Sequence, residues 1–297
     1  MNIKEYIHQI DADFKDRLCS VAQKIIKTFD GNDEKPVRIV SLSGPTCSGK
    51  TTAAKMLQSR FLLSGRQLHI ISIDDFYYDR EYLNELSRQK GLDTIDYDSV
   101  DTIDLFALRK FVNDALSGNS SSCPIFNFKS GNREGYRLID CTSESVFLFE
   151  GIQATYPEIQ ELFEPYGFVS VFICPQASLT HEDKVFLPDE IRLMRRIVRD
   201  NNFRNASAEF TMHLWESVRA NEKVHIFPYI NRCKYIIDST HEYELGVLKP
   251  YLCRILPTVQ PQSKYYQDAQ KMLAKLENIL PISAELIDSE SLYKEFV

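Results

Sequence analysis

Between Val37 and Ala53 the chain reads VRIVSLSGPTCSGKTTA, an apolar run that stops abruptly in a glycine-bracketed loop. The loop, Gly44-Pro45-Thr46-Cys47-Ser48-Gly49-Lys50-Thr51, satisfies G-x-x-x-x-G-K-[ST] at every fixed position, and Thr52 continues into the helix-compatible stretch TTAAKML. Glycines at these places let successive backbone N–H groups turn inward around a phosphate, while the helix behind them aims its positive end at the same point. Lys50 then reaches the β- and γ-phosphates, and the Thr51 hydroxyl is left for Mg²⁺, a cation that prefers oxygen ligands. A strand, this loop and a helix in that order predict a nucleoside triphosphate site on an α/β fold.

Composition narrows the partners. A net charge of −7 gives no electrostatic footprint for nucleic acid or an acidic membrane and favours a small-molecule partner. The seven cysteines are odd in number and form no C-x-x-C pair, so they read as free thiols rather than a disulfide framework or zinc site. Lys4, Glu5, Asp11 and Asp13 stand where a signal peptide would need an apolar block, and no stretch approaches the roughly 18 apolar residues of a spanning helix. The cytoplasm is the default location.

In chain order, Ile3, Ile7, Ile10, Phe14, Leu18, Val21 and Ile25 recur at three- and four-residue steps and predict one amphipathic helix. Such a helix either docks on its own domain, the commoner use, or pairs two subunits into a homo-oligomer. Asp30 to Pro36 reads as a polar turn, which sets boundaries at 1–36 for the helix and linker and 37–245 for the central domain. A helical extension packed on the core is predicted for 246–297. Leu68–Ile73, Ser145–Phe149, Phe168–Ile173 and Lys234–Asp238 follow the first strand as buried strands alternating with helical segments. That alternation predicts a three-layer α/β/α fold around a mainly parallel five-stranded sheet.

Two of these strands end in carboxylates. Asp74 and Asp75 follow the second, and ligands of open α/β sheets lie outside the carboxyl ends of the strands. Asp74 is therefore placed to accept a proton from an attacking hydroxyl or to hold the metal, while Asp75 better suits a helix cap. Glu150 ends the third strand and reads as the metal partner of Thr51. The run Asp93, Asp96, Asp98, Asp101 and Asp104 reads as a solvated loop, with Asp101 or Asp104 capping the helix LFALRKFVNDAL. Pro124–Phe128 and Gly135–Ile139 form a hairpin, Ser117–Cys123 a flexible turn before it, and Trp215, Val218, Val224, Ile226 and Phe227 a core group. Finally, Arg192, Arg195 or Arg196, and Arg199 recur on one face of a helix that starts at Pro188, with Arg204 beyond. A mobile cationic lid over the transferring phosphoryl group is the reading adopted for it.

GPTCSGKT, SIDDFYYDR, IDYDSVDTIDL, PIFNF, VFLFEGI, RLMRRIVRD and LWESVRANEKVHIFPY, in this order, resemble the uridine kinase and phosphoribulokinase group of P-loop kinases. The chain looks most similar to bacterial nucleoside kinases of the uridine kinase kind. The resemblance implies Mg²⁺ and ATP, or GTP in its place, as donor, and transfer to the 5′-hydroxyl of a nucleoside, uridine or cytidine first. By position it implies Asp74 as base, Lys50, Arg192 and Arg196 at the transferring group, and Arg195 and Arg199 toward the donor held by residues 44–52. Tyr77, Tyr97, Asp98, Phe126, Phe128 and Arg204 would meet the nucleoside; Thr51, Glu150 and Asp74 would organise the metal. Two positions depart from the group's pattern: Gly131 replaces a histidine used on the pyrimidine edge, and Ala206 replaces a second arginine. A kinase of another small hydroxylated metabolite, phosphoribulokinase- or pantothenate kinase-like, and a nucleotide-dependent switch remain as alternatives.

Overall fold

The structure, a computed structural model, describes residues 2–30, 37–92 and 95–297, so the polar turn anticipated up to Pro36 and Asp93 lie outside the described residues. The chain begins with α1 (Ile3–Asp30), whose apolar stripe Ile7, Phe14, Leu18, Val21 and Ile25 is buried. That stripe docks on the chain's own core beside α2 (Lys50–Leu63), so the face is already covered within one molecule.

Between them lies β1 (Ile39–Ser43), every residue of which is buried. After α2 come β2 (Leu68–Ser72), a short 3-10 turn Ile73–Phe76, α3 (Arg80–Gln89) and α4 (Leu105–Leu116). Asp104 caps α4 by accepting from the Ala107 N–H at 2.9 Å, whereas Asp101 pairs with Lys90 instead. Next is the antiparallel hairpin β3 (Ser121–Asn127) and β4 (Asn132–Ile139), which starts inside the stretch expected to be a flexible turn. Then follow β5 (Val146–Glu150), α5 (Pro157–Phe163), β6 (Phe168–Cys174) and a second small hairpin, β7 (Leu179–His181) with β8 (Lys184–Phe186). The chain closes with α6 (Pro188–Arg204), α7 (Ala208–His225), β9 (Tyr235–Asp238), α8 (Glu244–Ile255) and α9 (Tyr266–Leu276).

Five strands form one sheet in the order β2-β5-β1-β6-β9, all parallel. VFLFE and FVSVFIC are near-continuous apolar runs because helices cover both faces of a parallel sheet. The chain leaves β1 toward β2 on one side and leaves its neighbour β6 toward β9 on the other, so the carboxyl end of β1 lies at the switch point where such sheets bind ligands. Register fixes the rest: Glu150 is paired with Leu42 of β1 on one side and with Ser72 of β2 on the other. Asp74 follows Ser72 by two residues, so the two carboxylates and the glycine loop leave the sheet at one edge.

α6 differs from the expected lid. Arg192, Arg195 and Arg196 are buried, together with Ile191, Met194, Ile197 and Val198, and the helix packs against α7 and α8. The turn set by Pro188 aims the arginine row into the protein, where acidic partners on α7 and α8 await it. The expected core group around Trp215 also dissolves: Ile226 is buried, Val224 is 61% exposed, and Trp215 is a half-buried platform under the Arg192 and Arg196 guanidinium groups.

Candidate active site

The loop after β1 is shaped by contacts that exclude side chains. A Cβ on Gly44 would lie 2.2 Å from the Ile173 carbonyl oxygen of β6, and one on Gly49 would lie 2.1 Å from Leu292 Cδ1. Gly49 also has φ +91°, and Cys47 adopts a left-handed φ of +59°, so the backbone reverses twice before α2 starts. Behind the loop, Arg192 Nη1 donates to the Thr46 carbonyl at 3.4 Å and Arg195 Nη1 to the Cys47 carbonyl at 3.2 Å. Carbonyls held back in this way leave the opposite side of the loop to N–H groups and to the Ser48 hydroxyl, a buried oxygen with no partner. Lys50 arches over that side and donates to the Gly44 and Pro45 carbonyls at 2.8 and 3.1 Å. Thr51 is exposed, whereas the Thr52 N–H and hydroxyl both donate to Glu295 Oε1, at 2.7 and 2.5 Å.

Opposite the loop stands Asp74, half-buried at the sheet edge, with its pKa raised to about 6 by burial and by the neighbouring Glu150 carboxylate, against the favourable influence of Tyr77 and Lys50. The Tyr77 hydroxyl lies within hydrogen-bonding reach of that carboxylate and donates to the Tyr97 carbonyl at 2.8 Å. It accepts in turn from Gln153 Nε2 at 2.7 Å. Gln153 is fully buried, also bonds the Tyr97 carbonyl at 3.0 Å, and leaves its Oε1 without a partner. Asp98, pushed up by burial, interacts electrostatically with Asp74 and Arg196 and is reached by Asn221 Nδ2 at 3.4 Å. Tyr97, Phe126 and Phe128 ring Tyr77, with centroids 5.2, 5.4 and 6.1 Å away, and Phe128 is 59% exposed at the mouth.

The arginines divide into two sets. Arg192 makes a bidentate pair with Glu222 at 2.6 and 2.7 Å, and Arg195 pairs with Glu244 at 2.8 and 3.1 Å while also donating to the Ser239 carbonyl and Tyr293 hydroxyl. Both are at most 1% exposed, so they grip the loop from behind rather than face a bound donor. Arg196, Arg199 and Arg204 converge on Asp200, at 3.3, 2.7 and 3.5 Å, and Arg199 lies near Cys47 of the loop. Asp75 does not cap a helix; it accepts from the Phe126 N–H at 3.2 Å and pairs with Arg137 at 3.0 Å, fixing the hairpin to the sheet. Gly131 has a left-handed φ of +74°, which strains any other residue there, while a Cβ would meet only the movable end of the exposed Arg80 side chain, at 2.4 Å.

Sequence reasoning passed over Gln153, Asn221, Asp200 and Glu295. An amide three residues past a strand-end carboxylate is a weak signal for the first, and none announces the others, since each matters only through a distant partner.

The donor set suits Mg²⁺. An exposed threonine hydroxyl and two neighbouring carboxylates, Asp74 and Glu150, offer hard oxygen ligands. Among the described residues no group of three or more His, Cys, Asp or Glu could hold a metal alone.

A glycine loop between β1 and α2, with carboxylates ending β2 and β5 on a parallel sheet, defines a P-loop phosphotransferase. The Phosphoribulokinase / Uridine kinase family model matches residues 39–245, and the chain belongs to that family. A uridine kinase of Ureaplasma urealyticum is 30% identical over 188 residues, 63% of this chain and 79% of that one. A uridine kinase of Mycoplasma genitalium is 31% identical over 169 residues, 57% of this chain and 68% of its own. Among solved structures, D-glycerate 3-kinase of Cryptococcus neoformans matches with a TM-score of 0.51 at 15% identity, over 70% of this chain and 88% of that one, a likeness of fold alone. The chain is a kinase that transfers a phosphoryl group to a hydroxyl acceptor. None of its described helices is long and apolar enough to cross a membrane.

Proposed function

We propose that the protein is a cytoplasmic nucleoside kinase that moves the γ-phosphoryl of Mg²⁺-ATP to a nucleoside 5′-hydroxyl, with uridine and cytidine as first candidates. Residues 37–245 would form the catalytic unit. The observation that carries this reading is the meeting of Asp74, Tyr77, Asp98 and Lys50 at one sheet edge, with Asp74 tuned to about pH 6. A base must be ionised at working pH yet basic enough to take a proton, and a carboxylate raised that far meets both demands.

In this reading Lys50 and the loop N–H groups bind the donor phosphates, and Thr51, Glu150 and Asp74 would hold Mg²⁺. The cation, when bound, neutralises charge on the phosphates. Asp98 anchors the ribose hydroxyls, and Phe126 and Phe128 stack on the base. Asp74 accepts the proton of the 5′-hydroxyl as its oxygen bonds the γ-phosphorus and the bond to the β-phosphate oxygen breaks. Arg196 and Arg199 balance the charge on the transferring group, while Arg204 stands at the rim. Support for a nucleoside acceptor comes from the aromatic ring around Tyr77 and from relatives named uridine kinase.

The test is ADP release from Mg²⁺-ATP with a panel of nucleosides and small hydroxylated metabolites, beside Asp74→Asn. Release with uridine or cytidine that drops about 10²–10⁴-fold in the variant is the expected outcome. Release only with a non-nucleoside acceptor would sink the substrate assignment.

A further inference from the structure

The loop carries its own anion. In α2 the Ala53 N–H bonds the Gly49 carbonyl, so the amides of Lys50, Thr51 and Thr52 before it have no partner inside the helix. Such amides, at the positive end of a 14-residue helix behind a glycine loop, are what a donor's phosphates require. Yet the Thr52 N–H and hydroxyl are taken by one carboxylate oxygen, Glu295 Oε1, from 243 residues away. The contact is built. Leu292 fills the space over Gly49, the Tyr293 hydroxyl receives Arg195 Nη2 at 2.7 Å, and Tyr293 and Phe296 are fully buried. The closing turn Leu292–Glu295 therefore delivers this carboxylate at a fixed place.

We infer that Glu295 sets the donor affinity of this kinase by occupying the Thr52 donors, so that a nucleotide phosphate binds there only by displacing it. The inference rests on the donor half of the proposed function and is independent of the acceptor. A carboxylate mimics a phosphate in charge and geometry at a helix N-terminus, so the two compete for the same N–H. A displaced Glu295 has somewhere to go: the cavity of about 570 Å³ beside it is lined by Lys15, Lys55, Arg60 and Lys294, and since Glu290 there already pairs with Lys15 at 3.2 Å, Lys55 and Arg60 are the cations that would receive the side chain. Because Leu292, Tyr293 and Phe296 are anchored, the exchange involves the Glu295 side chain while the turn stays docked.

Competition by a charge-assisted contact is stronger than by a neutral one, so Glu295→Gln, similar in shape, should bind ADP about fivefold to tenfold more tightly than the natural protein. Titration calorimetry with ADP, without acceptor, reads this directly, and Glu285→Gln, the same charge change at an exposed residue of the C-terminal segment outside that cavity, serves as the control. The unliganded Glu295→Gln protein should melt at the same temperature or lower, which separates competition from a simple structural role that would weaken both properties. Glu295→Ala repeats the test should the glutamine variant fold poorly. Equal or weaker ADP binding by the variants, or no ADP binding by any of the proteins, overturns the inference. Tighter binding supports it whether or not any nucleoside proves to be the acceptor.

Discussion

At the scale of single residues the chemistry turns on Asp74. Its folded-state pKa of about 6 lies above the ordinary 3.8, so the folded protein holds that proton more readily than the unfolded chain. This contribution to stability is complete below about pH 4 and is lost as pH rises through 6. Ionised Asp74 is thus kept at a cost, and Asp74→Asn should stabilise the protein at pH 8 by about 1–3 kcal/mol relative to its effect at pH 4, read from urea midpoints. Catalysis has the opposite slope. We expect kcat/KM for the acceptor to fall about tenfold per pH unit below 6. Gln153 enters through Tyr77: by donating to the Tyr77 oxygen it leaves the phenol proton for the acceptors around it, among them Asp74, whose pKa that contact lowers. Gln153→Leu should therefore move the acid limb to higher pH; an unmoved limb would mean that the amide only fills space.

Among the elements, α6 carries a row of arginines whose duties diverge because a helix turns 100° per residue. Arg195 faces inward, and its removal as Arg195→Met would strand the fully buried Glu244 carboxylate. A loss of about 3–5 kcal/mol of stability is expected, since an uncompensated buried charge is what makes such deletions severe. Arg199 is half-buried beside the loop, so Arg199→Ala should lower turnover by about 10² while shifting the melting temperature far less. Thermal melts and ADP release on the two variants separate the roles; a similar melt for both would contradict the division of the helix into a bracing and a facing side. Asp200 serves the second set as a common acceptor, holding three guanidinium groups near one another despite their mutual repulsion.

On the scale of the whole molecule, residues remote in sequence meet at one buried junction. Arg195 of α6 touches the loop at Cys47, the segment 239–244 and Tyr293, while Tyr243 donates to Asp11 of α1. His241 lies in this junction, fully buried, with Asp11 at 3.6 Å and the rings of Phe14, Tyr243 and Tyr293 around it. Burial foremost, then the Arg195 and Arg17 charges, lower its pKa to about 3, against the pull of the Ser239 carbonyl and Asp238. A lowered histidine pKa means that the unfolded chain takes up the proton first. Its contribution to stability is full above about pH 6.5 and fades as pH falls toward 3, by up to about 1.4 kcal/mol per unit. Asp11, raised by burial, acts in the opposite sense. Asp74 and Asp11 act alike in both proteins, so His241 is read from the difference: on going from pH 7 to pH 4.5 the urea midpoint of the natural protein should fall relative to that of His241→Asn, and parallel profiles would place the acid sensitivity elsewhere.

Local sequence was enough for the loop and for the five strands of the parallel sheet in their order of appearance, because the glycine spacing, the period of α1 and the apolar runs of β1, β5 and β6 are set by neighbours a few residues apart, whereas the short hairpin β7–β8 carried no such run. It also brought Asp74 and Glu150 to strand ends, where a parallel sheet gathers carboxylates at one edge. What only the tertiary structure decided is which way polar side chains turn once distant partners are in place. Arg192 and Arg195 could not be told from Arg196 and Arg199 by spacing, since the difference lies in Glu222 on α7 and Glu244 on α8, 30 and 49 residues onward. Likewise Thr52 reads as one more loop residue until Glu295 is folded against it. A charge buried far from its partner in sequence is specified by the fold's geometry and by the cost of leaving it unpaired, and neither is written in any local stretch of the chain.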